Sequence, residues 1–191
     1  MYMKKFEFTG ETKILFDGTI LHRIKALVEF NLGYFIVKAG DLGGWIEKEE
    51  NLSQDGNAWV YCNAMVYGNA RVYCNAIVYG NARVHGNARV GGDAEVYGNA
   101  WVYGNAMVHG DSYVYKPEHI LVIGPIGSWN GYTTFTRNKA GEIKVKCGCF
   151  FGDIPEFLDE VEKTHGDSKY GNVYRLAVQV ALEQIDTEPM D

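Results

Sequence analysis

Proline is scarce in this chain, 4 of 191 residues, and no apolar run approaches the roughly 20 residues that a membrane-spanning helix needs. The opening Met-Tyr-Met-Lys-Lys-Phe-Glu holds no apolar h-region, so no secretory leader and a cytoplasmic, membrane-free location are expected. Cysteine is too thinly placed for a disulfide framework. Cys62 and Cys74 are separated by twelve residues, while Cys147 and Cys149 alternate along a predicted strand. Reduced thiols are the simpler account. Cys147-Gly-Cys149 also lacks a second Cys/His pair at zinc spacing, so neither metal nor cofactor is expected. Positive charge is in deficit, with 18 basic against 24 acidic residues. Residues 1–56 carry 7 basic and 9 acidic side chains, 57–116 carry 4 and 3, and 117–191 carry 7 and 12. The acidic end excludes broad nucleic-acid binding, which needs a basic field, and leaves room for a small anionic ligand on the near-neutral middle.

What the chain does have is a repeat. From Ala58 it reads A-W-V-Y-C-N, A-M-V-Y-G-N, A-R-V-Y-C-N, A-I-V-Y-G-N and onward to S-Y-V-Y. Valine recurs every six residues from Val60 to Val114, ten times without a slip, and alanine stands four places after each of the first nine, replaced once by Ser112. A β-branched residue and a small one then alternate in pointing inward, as a tight triangular core requires. Gly-Asn or Gly-Asp supplies each corner, because these residues tolerate positive φ. Three such edges close an 18-residue coil, and coils stack at about 4.8 Å. Tandem hairpins would need a longer period and variable turns.

This pattern resembles the hexapeptide-repeat, left-handed parallel β-helix superfamily over about a third of the chain, with right-handed β-helices as the competing reading. One departure is that Tyr or His follows the aliphatic residue where that family usually has Gly. The G-N-A-x-V-Y coils, with Gly148-Cys-Phe150 and Thr164-His-Gly166 downstream, look closest to small phage- or prophage-encoded proteins of unknown activity. The expected architecture is mainly β. An N-terminal β cap spans 1–56, about three coils span 57–116, and a C-terminal ββα-type module spans 117–191.

Within the cap, strand-like runs Lys5-Phe8, Lys13-Phe16 and Thr19-Ile24 surround the hairpin signal Asp17-Gly18, and Gly40, Gly43 and Gly44 mark loops. In the module, Ile120-Ile123, Tyr132-Thr136 and Ile143-Cys149 read as strands. Gly124-Pro-Ile-Gly127-Ser reads as a hairpin loop, since a phosphate loop would need a following helix and a lysine. Asp153-Ile-Pro-Glu156 opens a helix with a capping box, and Ile154, Phe157, Leu158 and Val161 follow helical spacing. A second helix, about 172–185, carries Val173, Leu176, Val180 and Ile185 toward one side.

Stacking at i, i+18 maps the surface, because the residues flanking each valine share a face. Face one carries Trp59, Tyr61, Ile77, Tyr79, Glu95, Tyr97, Tyr113 and Tyr115. This aromatic ladder is expected to form an oligomer interface, and the family resemblance implies a homotrimer. The alternative is that the terminal segments fold over it. Face two carries Met65, Tyr67, Arg83, His85, Trp101 and Tyr103. Face three carries Arg71, Tyr73, Arg89, Gly91, Met107 and His109. There Gly91 is expected to open a notch in which Arg71, Arg89, Tyr73 and His109 hold phosphate or carboxylate. The alternative leaves both arginines simply solvated.

The superfamily also implies an enzyme reading, acyl transfer from acyl-CoA with His85 or His109 as general base. Ten hexapeptides without an inserted loop, and no signature around either histidine, count against it. The zinc-binding γ-type carbonic anhydrases share the fold, but His85, His109 and His119 lack the close histidine pair of those enzymes. The reading that stands is a non-catalytic oligomeric binding or scaffold protein. In a phage setting it would act in the host cytoplasm against a host defence, gripping a host protein or sequestering a small anionic nucleotide. The alternative is a CoA-dependent acyltransferase.

Overall fold

A computed structural model of the chain describes residues 4–188. The N-terminal segment supplies β1 (Phe6–Ile14), β2 (Ile20–Ala26), β3 (Phe30–Asn31), β4 (Ile36–Val37) and β5 (Leu42–Ile46). Ten two-residue strands follow, each one outward residue and its valine. They are β6 (Trp59–Val60), β7 (Met65–Val66), β8 (Arg71–Val72), β9 (Ile77–Val78), β10 (Arg83–Val84), β11 (Arg89–Val90), β12 (Glu95–Val96), β13 (Trp101–Val102), β14 (Met107–Val108) and β15 (Tyr113–Val114). The C-terminal segment adds β16 (Ile120–Ile126), β17 (Gly131–Arg137), β18 (Ile143–Cys147), β19 (Phe150–Asp153), α1 (Ile154–His165) and α2 (Lys169–Gln184). Among the described residues no helix is long and apolar enough to cross a membrane.

The ten strands wind into a parallel β-solenoid with three flat faces. Met65, Arg83 and Trp101 stand in register on one face, Arg71, Arg89 and Met107 on the second, and Trp59, Ile77, Glu95 and Tyr113 on the third. Residues eighteen apart are therefore vertical neighbours, as six residues per side requires. All ten repeat valines and the nine repeat alanines from Ala58 to Ala106 are fully buried. At the corners glycine adopts the left-handed conformation, as at Gly86 (φ 70°), and Cys62 and Cys74 are held in it at φ 58° and 60°. The neighbouring asparagines do other work. Asn69 Nδ2 donates to Asn87 Oδ1 at 3.2 Å, and Asn87 to Asn105 at 3.2 Å, a continuous amide column down one corner.

The solenoid has about four turns, one more than the repeat alone implies. β5 pairs in parallel with β7, setting Trp45 beside Met65, and Leu52 bridges Val72. This first turn is built from sequence with no hexapeptide signature. Gly43 and Gly44 lie in β5, not in a loop. A Cβ on Gly43 would fall 2.8 Å from the Trp59 ring, and one on Gly44 2.8 Å from the Ala64 carbonyl, so backbone packs directly on the coil. The predicted hairpin at Asp17-Gly18 joins β1 to β2, with Ile14 opposite Ile20. Buried Lys5 closes this end by donating to the Ala58 and Gly56 carbonyls at 2.8 and 3.2 Å.

At the other end β16–β19 form an antiparallel sheet in sequence order, with α1 and α2 packed against it. Thr134 Oγ1 accepts from the Met107 N–H at 2.9 Å, Thr136 Oγ1 meets Ser112 Oγ at 2.6 Å, and Asn138 Nδ2 donates to Asp111 at 3.0 Å. Two of the three terminal solenoid edges are thus capped by one strand and its extension. Cys149 sits in the β18–β19 turn beside Gly148 (φ 55°) rather than in a strand, and β19 is a strand the sequence reading left out. The capping box at Asp153 forms as expected, Glu156 N–H to Asp153 Oδ1 at 2.9 Å. For α2 the buried set is Gly171, Tyr174, Ala177, Val178 and Ala181, while Leu176 and Val180 face outward. Small residues win the core side because α2 lies close to the sheet and α1.

Two consequences can be measured. Val84→Ala removes two fully buried methyl groups from a mid-coil rung and should cost about 2 kcal/mol in urea unfolding. His119 is fully buried, its Nδ1 accepting from the Tyr115 N–H at 3.5 Å. Burial first, then the Arg137 and Lys116 charges, pulls its pKa down to about 4. The neutral ring is the folded form, so its stabilising effect is complete above pH 6.5 and is lost as pH falls toward 4. Melting temperature should drop across that window in the natural protein, and the drop should be shallower in His119→Gln.

Candidate functional site

β8 and β11 set Arg71 and Arg89 on successive rungs in direct register, both exposed. Next to Arg71 on the same face is the first turn of the solenoid, where a 3-10 turn over Glu49–Asn51 runs into Leu52, Ser53 and Gln54. Between the two lies a groove of about 630 Å³, with Tyr73 in its lining. A second hollow of about 360 Å³ continues past Arg71 to Lys48 and Asn69. Asn51 fixes this wall, its Nδ2 donating to the Ala70 and Gly68 carbonyls at 2.8 and 3.1 Å.

The electrostatic balance of the groove is positive. Neither arginine makes an ion pair or a side-chain hydrogen bond among the described residues. Glu49 is already matched by Lys4 at 2.7 Å, which leaves Glu50 as the one carboxylate on the rim without such a partner. Two guanidiniums on adjacent rungs, with Lys48 in the adjoining hollow by Arg71, can receive a phosphate or carboxylate, and Glu50 can accept from a donor on the same molecule.

Of the residues expected to share an anion site, Arg71, Arg89 and Tyr73 meet in this groove. Gly91 and His109 do not line it. The space above Gly91 is filled rather than open: a Cβ there would lie 2.4 Å from Tyr73 Cζ, so the Tyr73 ring leans across the gap. His109 lies beyond it, 6.3 Å from the Tyr73 ring and 5.7 Å from Phe151. Lys48, Ser53 and Gln54 were not anticipated. The charge run Lys48-Glu49-Glu50 is the available signal, but only the first turn, with its 20-residue offset, brings it beside Arg71.

Face two holds the second histidine. His85 is stacked between Tyr67 (4.9 Å, 5°) and Tyr103 (5.5 Å, 12°), both ring faces covered. Burial chiefly, then the Arg83 charge, holds its pKa below the ordinary imidazole value, and burial with Lys146 does the same for His109. Arg83 lies over Trp101 at 5.0 Å. Trp101 and Tyr103, 47% and 59% exposed, border a hollow of about 610 Å³ roofed by Ile120, Leu121, Val122 and Tyr132. It lies beside β13, the edge strand of its sheet.

Face one is partly closed by the chain itself. Trp59 and Ile77 are 1% and 4% exposed. Phe30 meets Trp59 at 5.2 Å and Phe35 meets Tyr61 at 5.4 Å, both edge-on from the β3–β4 hairpin. Tyr61, Tyr79 and Tyr97 then stack at 5.0 and 4.7 Å within 9° of parallel, and Tyr115 continues the column at 5.3 Å. At its far end Lys139 bonds Glu95 at 2.8 Å and lies 4.7 Å over Tyr113.

A parallel solenoid whose repeat turns are 18 residues long, with an interior dominated by stacked valines and alanines, fits the hexapeptide-repeat β-helix class. Comparison with known proteins agrees at that level. No family model matches the chain. A protein of Escherichia coli K12 described as the uncharacterized acetyltransferase YdcK is 38% identical over 66 residues, 31% of this chain. The match covers 19% of that protein, so the chain spans about a fifth of its length.

The stacked imidazole supplies a test of this geometry. Arg83→Ala should raise the His85 titration midpoint, followed by NMR, toward the unperturbed value near 6.5, while leaving His109 in place. A His85 midpoint unmoved by the loss of that charge would contradict the placement of Arg83 beside the ring.

Proposed function

We propose that this chain is a non-catalytic binding protein whose solenoid presents the Arg71–Arg89 groove to a small anionic molecule, with a nucleotide as the preferred chemical class. The observation that carries the reading is the pair of exposed guanidiniums on adjacent rungs with no carboxylate bound to either among the described residues. A groove of about 630 Å³ matches the size range of small-molecule sites. Tyr73 offers a ring and Glu50 an acceptor, features suited to a phosphate-bearing ligand with a base or sugar attached. The resemblance to phage-encoded repeat proteins extends this to sequestration of a host signalling nucleotide.

A second reading, acyl transfer from CoA, is favoured by the likeness to a protein described as an acetyltransferase. In its simplest form His85 or His109 would act as base. Against it, His85 is sandwiched between two tyrosines, which leaves only ring edges for an acceptor. The repeat also runs from Ala58 to Val114 without an extruded loop that could build an acceptor site.

Titration calorimetry with pyrophosphate, ADP and acetyl-CoA, beside a free-thiol assay for CoA release, separates the two. The binding reading expects pyrophosphate or ADP to bind. It expects Arg89→Ala to weaken that binding by about 10- to 100-fold, the loss of one charge-assisted contact. Acetyl-CoA turnover abolished by His85→Ala or His109→Ala would establish the enzyme instead.

A further inference from the structure

The outward side of α2 has an order that nothing in the solenoid uses. Its core side is Gly171, Tyr174, Ala177, Val178 and Ala181, all buried against the sheet and α1. Opposite lie Leu176 and Val180, 60% and 50% exposed, with Val173 half-buried beside them. Exposed Lys169 and Glu183 continue the same line at its two ends. The five residues are spaced four, three, four and three apart, the a/d spacing of a helix seam. Lys169 and Glu183 make no ion pair among the described residues.

We infer that α2 is a self-complementary interface that pairs antiparallel with α2 of a second copy of this chain about a two-fold axis at Leu176. That register sets Leu176 against its own counterpart once, and Lys169 against Glu183 twice by symmetry, with Val173 and Val180 within about one residue rise, about 1.5 Å, of direct opposition. Asn172 and Gln179, both exposed on one flank, come equally near each other in the same register. A parallel pairing would instead put lysine beside lysine and glutamate beside glutamate, so the charges select the antiparallel arrangement. An isologous contact also closes on itself, which stops growth at the dimer. The 16 residues of α2 make a rod of about 24 Å, three to four turns of contact. The seam lies on the module of residues 117–191, apart from the tyrosine column of the solenoid, and does not depend on the proposed ligand.

Sedimentation equilibrium on the full chain tests it. The expected result is a concentration-dependent dimer. Leu176→Arg places two like charges at the axis and should weaken dimerisation by more than about 100-fold, with circular dichroism unchanged because the side chain is exposed. Lys169→Glu should weaken it by about tenfold, and adding Glu183→Lys to that variant should restore the natural affinity. The restoration is the decisive arm, since a merely structural effect of either substitution would not be reversed by the other. A natural chain that stays monomeric at several hundred micromolar would overturn the inference. So would a trimer, or any oligomer indifferent to Leu176→Arg.

Discussion

Each turn of the solenoid is held by backbone hydrogen bonds that belong half to the next turn. The N–H of Tyr67 donates to the Val84 carbonyl at 3.0 Å, that of Arg71 to Ala88 at 2.9 Å, and so on around all three faces. A strand two residues long has no stability of its own, so the fold exists only as a stack. Everything outside the repeat follows from that dependence. The first turn, to which β5 belongs, needs a partner on its outer side and finds it in β2 and β1, which extend one face into a six-stranded sheet. The last turn needs one too, and receives threonine and asparagine side chains from β17 and the residue after it.

The side chains outside the prism obey the same pitch. Tyrosines spaced eighteen apart are brought to about the strand separation, close to the distance at which aromatic rings stack in parallel. That is why the rings of the column Tyr61–Tyr79–Tyr97 are nearly parallel, and why a histidine can take a tyrosine's place at His85 without breaking the stack. The same pitch brings Arg71 onto Arg89, where stacking offers no relief of like charge. The candidate site is therefore a place where the repeat's own geometry concentrates charge, beside a rung that the repeat did not supply.

How much of this could be read beforehand depends on whether neighbours in space are related by a fixed offset in sequence. The three faces, the register and the burial of every repeat valine were legible because one number, eighteen, relates all of them. The extra turn was not, since Trp45 and Leu52 take their places with a 20-residue offset and no valine-alanine pattern. Gly91 shows a subtler limit. A missing side chain in a column suggests a gap, but Tyr73 next door is long enough to lean into it. The outward line of α2 is visible as a periodic stripe through Val173, Leu176 and Val180, but spacing identifies a face and not what it meets, and Ile185, grouped with them by spacing, is buried. Small residues on the opposite side, Gly171, Ala177 and Ala181, were the clue that the helix packs closely there.

The amide columns at the corners carry one more implication. With the backbone ladder, the two all-asparagine columns present the same donors to one side of a turn and the same acceptors to the other, so a whole turn can be added to or removed from the middle with little change of chemistry at either end. Such an edit would slide the C-terminal module along the prism axis by about 4.8 Å and leave its orientation nearly as before. Fewer or more residues than a full turn would shear all three faces at once. The solenoid thus behaves as a ruler with whole-rung graduations, and the spacing between what its two ends hold is set by repeat number alone.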